Sequence, residues 1–397
     1  MTMGSHRKIM SIVLVFVFLT SLVSIQPNVK AQPKEITVPD DYPTIQEAVG
    51  NASSGDTVFV KRGIYYAPYF NVIVIDKSIS LIGEDASNTV IDGIDRGEYS
   101  IGHYVITWDM ITLCASNATI SGFTIRNGNH AIVNGGSYPS GNRILGNSLS
   151  NNKVPIAWGG SNFLIEGNNI TDNDEAMNVG GMNGLISNNT ISGLAIYGQN
   201  MTVCENRILN KGLSIGQSDN IVIYENNITN SLQGITFSWG VHNTTVRNNN
   251  IINNSIGISL DNFAYVSPNN IGKRNNIYLN NIVNNTQNAF VKPDYPYNIS
   301  MIDNAIGNGT DVVSWDNGTI GNYWGDYNGS GTYVIDENNI DHYPLTKPIE
   351  ISTIAPTPSP FQPNETLIPP IAIAVSTLAL IIISLLLYRR RRKPSYV

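Results

Sequence analysis

The feature that most constrains this chain is a short pattern written nine times between Ile120 and Trp315. Take Ile120, Ile144, Ile165, Ile186, Val203, Ile223, Val246, Ile277 and Met301 as position zero. Every copy then carries an aliphatic residue at plus five, from Ile125 and Leu149 through to Ile282 and Ile306. Most copies have Asn at plus three (Asn147, Asn168, Asn189, Asn206, Asn226, Asn249, Asn280, Asn304) and another at plus seven (Asn127, Asn151, Asn210, Asn230, Asn253, Asn284, Asn308). A second apolar pair follows at plus twelve and plus fourteen, as in Ile156 and Trp158, Ile235 and Phe237, and Val313 and Trp315. Copies start 17 to 31 residues apart, too close for helical repeats or propeller blades. Two short strands per copy, joined by Asn-rich turns, predict an all-β, right-handed, single-stranded parallel β-helix with one coil per copy. Coils stacked at one strand spacing, about 4.8 Å, place like residues over like, so both Asn columns are expected to form hydrogen-bonded ladders. Trp158 and Trp315 fall on the inward plus-fourteen position. Cys114 and Cys204 lie roughly four coils, on the order of 19 Å, apart. A disulfide needs Cα atoms within about 7 Å, so two free thiols are expected.

The ends of the chain are written differently. His6, Arg7 and Lys8 precede an apolar run from Ile9 to Val23, and Val29-Lys30-Ala31 reads as a cleavage site, which predicts a secretory signal over 1–31. Residues 32–348 are assigned to the β-helix: 35–93 as lead-in and cap, 94–315 as coils, 316–348 as the C-terminal cap. A Pro-rich stalk is expected over 349–366 and a transmembrane helix over 367–388. The basic tail 389–397, with four consecutive Arg from Arg389, is expected to stay cytoplasmic and so places the solenoid at the cell surface. Residues 32–366 hold all 30 acidic residues but only 15 of the 23 basic ones, a net of −15 that argues against a nucleic-acid partner.

The lead-in contains Thr44-Ile45-Gln46-Glu47, a capping-box spacing, with Ile45, Ala48 and Val49 on one face of a short helix suited to closing a solenoid end. Ile36-Thr37-Val38-Pro39, the run Tyr42 to Val49, Gly55-Asp56, Gly63-Ile64-Tyr65 and Ile79 to Gly83 together resemble the start of pectinesterase-like and NosD-like right-handed parallel β-helices. The tail, Gly321-Asn322-Tyr323-Trp324-Gly325-Asp326-Tyr327 and then Tyr333 to Leu345, resembles the end of archaeal NosD-like cell-surface proteins. The resemblance spans roughly 35–348. It implies a β-helix of the carbohydrate-binding and sugar-hydrolase type, and the NosD name implies a link to copper.

Chemistry-bearing residues are sparse. His103, His130, His242 and His342 are scattered, and the methionines form no tight His/Met spacing, so copper is not expected. Asp326, Asn328, Ser330 and Glu337, with Gly331, match the spacing of a twelve-residue calcium loop; the other reading is a Gly/Asn turn before a capping strand. Glu205 and Glu225 share the plus-two position on consecutive coils, and Arg247 projects from plus one on the next. They read as an acid/base pair with a stabilising cation, or as a solvated ion-pair cluster beside a turn. The motifs that a pectinesterase or polygalacturonase needs are not found. Tyr138, Tyr265, Tyr295 and Tyr297, in loops rich in Gly, Pro or Asn, are candidates for stacking on sugar rings. Asn-x-Ser/Thr occurs at fourteen Asn residues, many of them the repeat's own Asn-Ile-Thr spelling. The expected function is a surface module, carbohydrate-binding or structural and adhesive, with a polysaccharide or envelope glycan as partner. The alternatives are a polysaccharide lyase, epimerase or hydrolase, and a copper-linked accessory protein.

Overall fold

The computed structural model describes residues 32–67, 73–93, 99–101, 104–106, 109–136, 138–238, 240–260, 275–292 and 313–351. The chain divides into two units, 1–358 and 359–397. The second unit lies outside the described residues, and with it the expected membrane span; so do the expected signal and most of the stalk. Among the described residues no helix is long and apolar enough to cross a membrane.

The first unit winds through three long sheets, of 12, 11 and 11 strands, in which every pairing is parallel. This is a parallel β-helix, and all-β parallel sheets with one helix fit the right-handed form. Position zero stacks in the first sheet in the expected register: Ile120 over Ile144, then Ile165, Ile186, Val203, Ile223, Val246 and Ile277. Plus five does the same in the second sheet, from Ile125 and Leu149 to Ile251 and Ile282. The lead-in already belongs to the stack, since Ile36, Val58 and Leu81 continue the first column. These aliphatic columns are buried throughout, each side chain contributing about 1.5–3 kcal/mol of transfer free energy.

Each coil has three strands where two were expected, because a corner separates position zero from plus five. The plus-two residue at that corner adopts left-handed backbone, with φ of 59° at Gly146, 55° at Asn188 and 55° at Asn248. That turns the chain, and the plus-three side chain then points inward. Gly and Asn tolerate this conformation best, which accounts for their frequency at the corners.

The plus-three ladder forms as expected. Asn206 shows the unit: its Oδ1 accepts from the backbone N–H (3.0 Å) and Nδ2 (2.9 Å) of Asn189, while its own Nδ2 donates to Asn226 Oδ1 (3.0 Å) and to the carbonyls of Ile186 (2.9 Å) and Cys204 (2.8 Å). The second buried ladder sits one residue later than the sequence pattern indicated. Asn151, Asn210, Asn230 and Asn253 at plus seven are the left-handed corner residues and point outward. Asn152 and Asn173, and Asn254 and Asn285, at plus eight, carry the inward bonds. A third column adds to the expected pair: Asn162, Asn183, Asn200, Asn220 and Asn243 form an exposed head-to-tail amide ladder along the remaining corner.

The last coil also differs from the expectation. Asn275 and Asn276 pair with Val313 and Ser314, and Ile282 pairs with Trp324, so the stack passes from the Ile277 copy to 313–324. The Met301 copy is therefore not the next coil; it falls outside the described residues. Trp315 is buried, as expected, but in line with Ile277 at position zero instead of at plus fourteen.

Both ends are closed. α1 (Ile45–Asn51) buries Ile45, Ala48 and Val49, and Thr44 accepts from the N–H of Glu47, as the capping pattern predicts. At the other end a hairpin of Tyr333–Asp336 and Asn339–Asp341 lays Tyr333 flat on Trp324, with ring centroids 4.1 Å apart. Buried Asp341 accepts from Asn322 N, Trp324 Nε1 and Tyr343 N, at 2.7, 2.8 and 3.0 Å. Burial pushes its carboxyl above the usual range in spite of these donors.

Replacing Asn206 by Ala strips a buried backbone N–H and two carbonyls of their partners. The expected cost is about 3–5 kcal/mol, against less than about 1 for Asn200→Ala on the exposed ladder, measured by denaturant unfolding.

Candidate functional site

The outer face of the first sheet is the most differentiated surface. Glu205 and Glu225 do occupy neighbouring coils, since Thr202–Cys204 pairs with Val222–Tyr224. They stand on the corner, with φ of 57° and 55°, where the other coils use Gly or Asn except at Leu279 (φ 55°). Arg247 lies one coil further on, with its guanidinium 4.9 Å from the centre of the Tyr224 ring. The Tyr224 hydroxyl is hydrogen-bonded to Cys204, and this bond, burial and the charges of Glu205 and Glu225 push the phenol up to about 12. Burial pushes the Cys204 thiol up as well, relieved in part by the Tyr224 hydrogen bond, with Glu205, Glu225 and Glu166 adding to the rise. Cys114 and Cys204 are both free.

This face runs into a cleft of about 740 Å³ between the last first-sheet strands and the terminal hairpin, lined by Thr245, Asn276, Tyr278, Asp316, Glu337 and His342 among others. Asp316 accepts from the N–H and Nδ1 of His342, both at 3.0 Å, and from Gly318 N at 2.8 Å. Burial alone would raise its carboxyl, but the backbone donors of His342 and Gly318 and the imidazole hold it below the usual carboxylate range. The cleft was not foreseen from sequence. It joins residues 245 and 342, and the only hint was that both ends of the pairing are unusually rich in Asn, Asp and aromatic residues.

Of the four candidate sugar-stacking tyrosines, Tyr138 is 77% exposed, while Tyr265, Tyr295 and Tyr297 lie outside the described residues. The expected calcium loop does not close. Asp326 bonds Asn288 Nδ2 (2.7 Å) and the Tyr333 hydroxyl (3.3 Å), and Asn328 caps its own turn at Ser330 N. Glu337 is carried away by the strand Tyr333–Asp336 to the cleft wall. Among the described residues no three His, Cys, Asp or Glu side chains gather around a point that could hold a metal ion. His130 bonds Asp109 and His342 bonds Asp316, and Met177 and Met201 are core residues. The described residues therefore do not fit a soft copper site.

Three measurements check these assignments. A thiol reagent at neutral pH is expected to modify Cys114 in the native protein and Cys204 only after unfolding. Cys204→Ala removes the first cause of the Tyr224 shift, so tyrosinate absorbance should show that phenol falling from about 12 toward its ordinary value. Asp316, depressed in the folded state, contributes stability that is present above the ordinary carboxylate range and lost as pH falls through its folded value. Between pH 6 and 3, Trp fluorescence should report loosening of the terminal cap below about pH 4, and Asp316→Asn should flatten that dependence.

A family model described as periplasmic copper-binding protein (NosD) matches residues 49–226 and 200–329. No curated protein matches in sequence. Among solved structures, the pectate lyase Pel9A is similar over 72% of this chain and 81% of its own, at 13% identity and a TM-score of 0.44. The A-module of Azotobacter vinelandii mannuronan C-5 epimerase AlgE6 is similar over 62% and 72%, at 16% identity and 0.37. A mannuronic acid specific polysaccharide family 6 lyase from human gut microbiota is similar over 79% and 91%, at 12% and 0.40. With a family model running from residue 49 to residue 329 across coils that stack in register, the chain belongs to the NosD family.

Proposed function

We propose that this NosD-family β-helix is a glycan-binding module displayed outside the cell on a stalk and a single membrane span, engaging polysaccharide along the outer face of its first sheet and into the adjoining cleft. The supporting observation is a set of buried polar atoms without partners on that face and its corner: Arg143 Nε, Ser187 Oγ and Asn248 Oδ1. Each bare polar atom costs about 1–3 kcal/mol. Sugar hydroxyls both donate and accept, so one ligand class can satisfy all three atoms. Tyr278, next to Arg247 in the same outward column and on the wall of the cleft, supplies a ring face for the apolar side of a pyranose. The copper of the family description enters no step here, because the described residues do not assemble a site for it.

A second reading, cleavage or epimerisation of the bound glycan, is favoured by one observation. Glu205 and Glu225 both hold left-handed backbone, a conformation Glu seldom takes and one that concentrates at functional sites.

Retention of the full-length protein on immobilised polysaccharides tests the first reading. Retention is expected, weakened at least about tenfold by Tyr278→Ala, which at roughly 1.4 kcal/mol is the scale of one lost aromatic contact. No retention on any neutral, amino-substituted or acidic glycan would overturn it. New reducing or unsaturated ends, abolished by Glu225→Gln, would establish the second reading in its place.

A further inference from the structure

We infer that the strip formed by Glu166, Ser187, Cys204, Glu205 and Glu225 on the first-sheet face binds glycan units that carry a free amino group. The inference rests on the glycan-binding reading above and narrows its ligand class. The register makes the strip continuous: Glu166 pairs with Ser187, Ser187 with Cys204, and Cys204 with Tyr224 on the next coil. Glu205 and Glu225 follow Cys204 and Tyr224 directly in the chain, so their carboxylates edge the same column. The three carboxylates thus line one strip, with Glu166 two coils from Glu205 and Glu205 one coil from Glu225.

The independent observation on that strip is Ser187. It is 6% exposed, yet its Oγ, in the column between Glu166 and Cys204, has no hydrogen-bond partner. A hydroxyl and three carboxylates make a surface dominated by acceptors. Neutral rings gain only ordinary hydrogen bonds there, and uronate rings meet like charge. An ammonium group brings three donors and a compensating charge, and such charge-assisted bonds are roughly twice as strong as neutral ones.

The cations on the face do not cancel the strip. Arg247 lies over Tyr224, and Arg143 sits two coils before Ser187, in the neighbouring column that continues through Leu164 and Leu185. A single metal ion suits the spacing poorly, since among the described residues no three carboxylate, thiol or imidazole groups converge. A glycan that repeats its charge once per ring matches carboxylates spread over successive coils.

The test compares a fully deacetylated glucosamine oligomer with its N-acetylated counterpart of equal length, binding to the full-length protein by calorimetry. The deacetylated oligomer is expected to bind at least about tenfold more tightly at low salt, and the advantage should shrink in about 0.5 M salt as screening sets in. Glu166→Gln and the pair Glu205→Gln and Glu225→Gln should each erode that advantage, and Ser187→Ala should weaken binding of the deacetylated oligomer. The salt dependence is read on the unaltered protein, so the inference stays testable even if a variant fails to fold. Equal affinity for the two oligomers, or a preference that survives the Glu205/Glu225 double change, would overturn it. So would binding of some other neutral or acidic polysaccharide with neither oligomer bound, a result that leaves the glycan-binding reading standing. Failure of every glycan to bind would remove both.

Discussion

Backbone hydrogen bonding between coils at one strand spacing is the interaction on which everything else in this protein depends. It forces each residue to sit above its counterpart one turn earlier, so any side chain that fits one coil must fit beside its own kind in the next. Ile, Val and Leu satisfy that at position zero and plus five, where they fill the lumen with aliphatic columns. The difficulty comes at the corners, where strand pairing lapses and backbone groups turn inward without partners. Asn resolves it because one side-chain amide can accept from the preceding coil, donate to a carbonyl of that coil and one of its own, and pass a further bond to the Asn oxygen of the next coil. Asn147, Asn168, Asn189, Asn206, Asn226, Asn249 and Asn280 repeat that arrangement through the stack, and Asn322 ends it.

A stack held together this way has no intrinsic stopping point. Its open ends would pair with another chain unless something else takes the place of the missing coil. The N-terminal end is closed by a seven-residue helix and by Asp56, which accepts from Lys34 N and Ser53 N and is held below the usual carboxylate range by those donors. The C-terminal end replaces aliphatic columns by the stacked pair Trp324 and Tyr333, pinned by Asp341. Carboxylates thus take over at both ends the task that amides perform inside. At an end there are donors to satisfy from only one side, and an acceptor-only group suffices.

Function is confined to what the lumen and ladders do not dictate, namely the outward columns and corners. Most of these corners use Gly or Asn, with Leu279 a further exception, and the two glutamates in left-handed backbone on consecutive coils lie beside the buried bare hydroxyl of Ser187, a cost that the scaffold does not require. The cleft beside Asp316 is likewise a product of the junction between the coils and the terminal hairpin, where the repeat stops.

Much of this was determined by the sequence alone. Period, apolar columns, the plus-three ladder, the capping helix and two separate thiols follow from spacing, because a stacked repeat converts position in the chain into position in space. Where the structure departs from the spacing, the reason is local geometry that spacing does not record. A left-handed residue advances the inward direction by one position, so the second ladder lies at Asn152 and Asn173, not at Asn151, and position zero and plus five belong to different strands. The ninth copy was misplaced because Met301 spells the repeat, while pairing energy is settled by which segment actually docks on Asn275–Val283, and that segment is 313–324. Only the tertiary structure could decide such matters. The partners of Asp316 and Asp341 depend on how distant segments meet at an end of the solenoid, and at an end the repeat no longer supplies a neighbour whose identity can be read in advance.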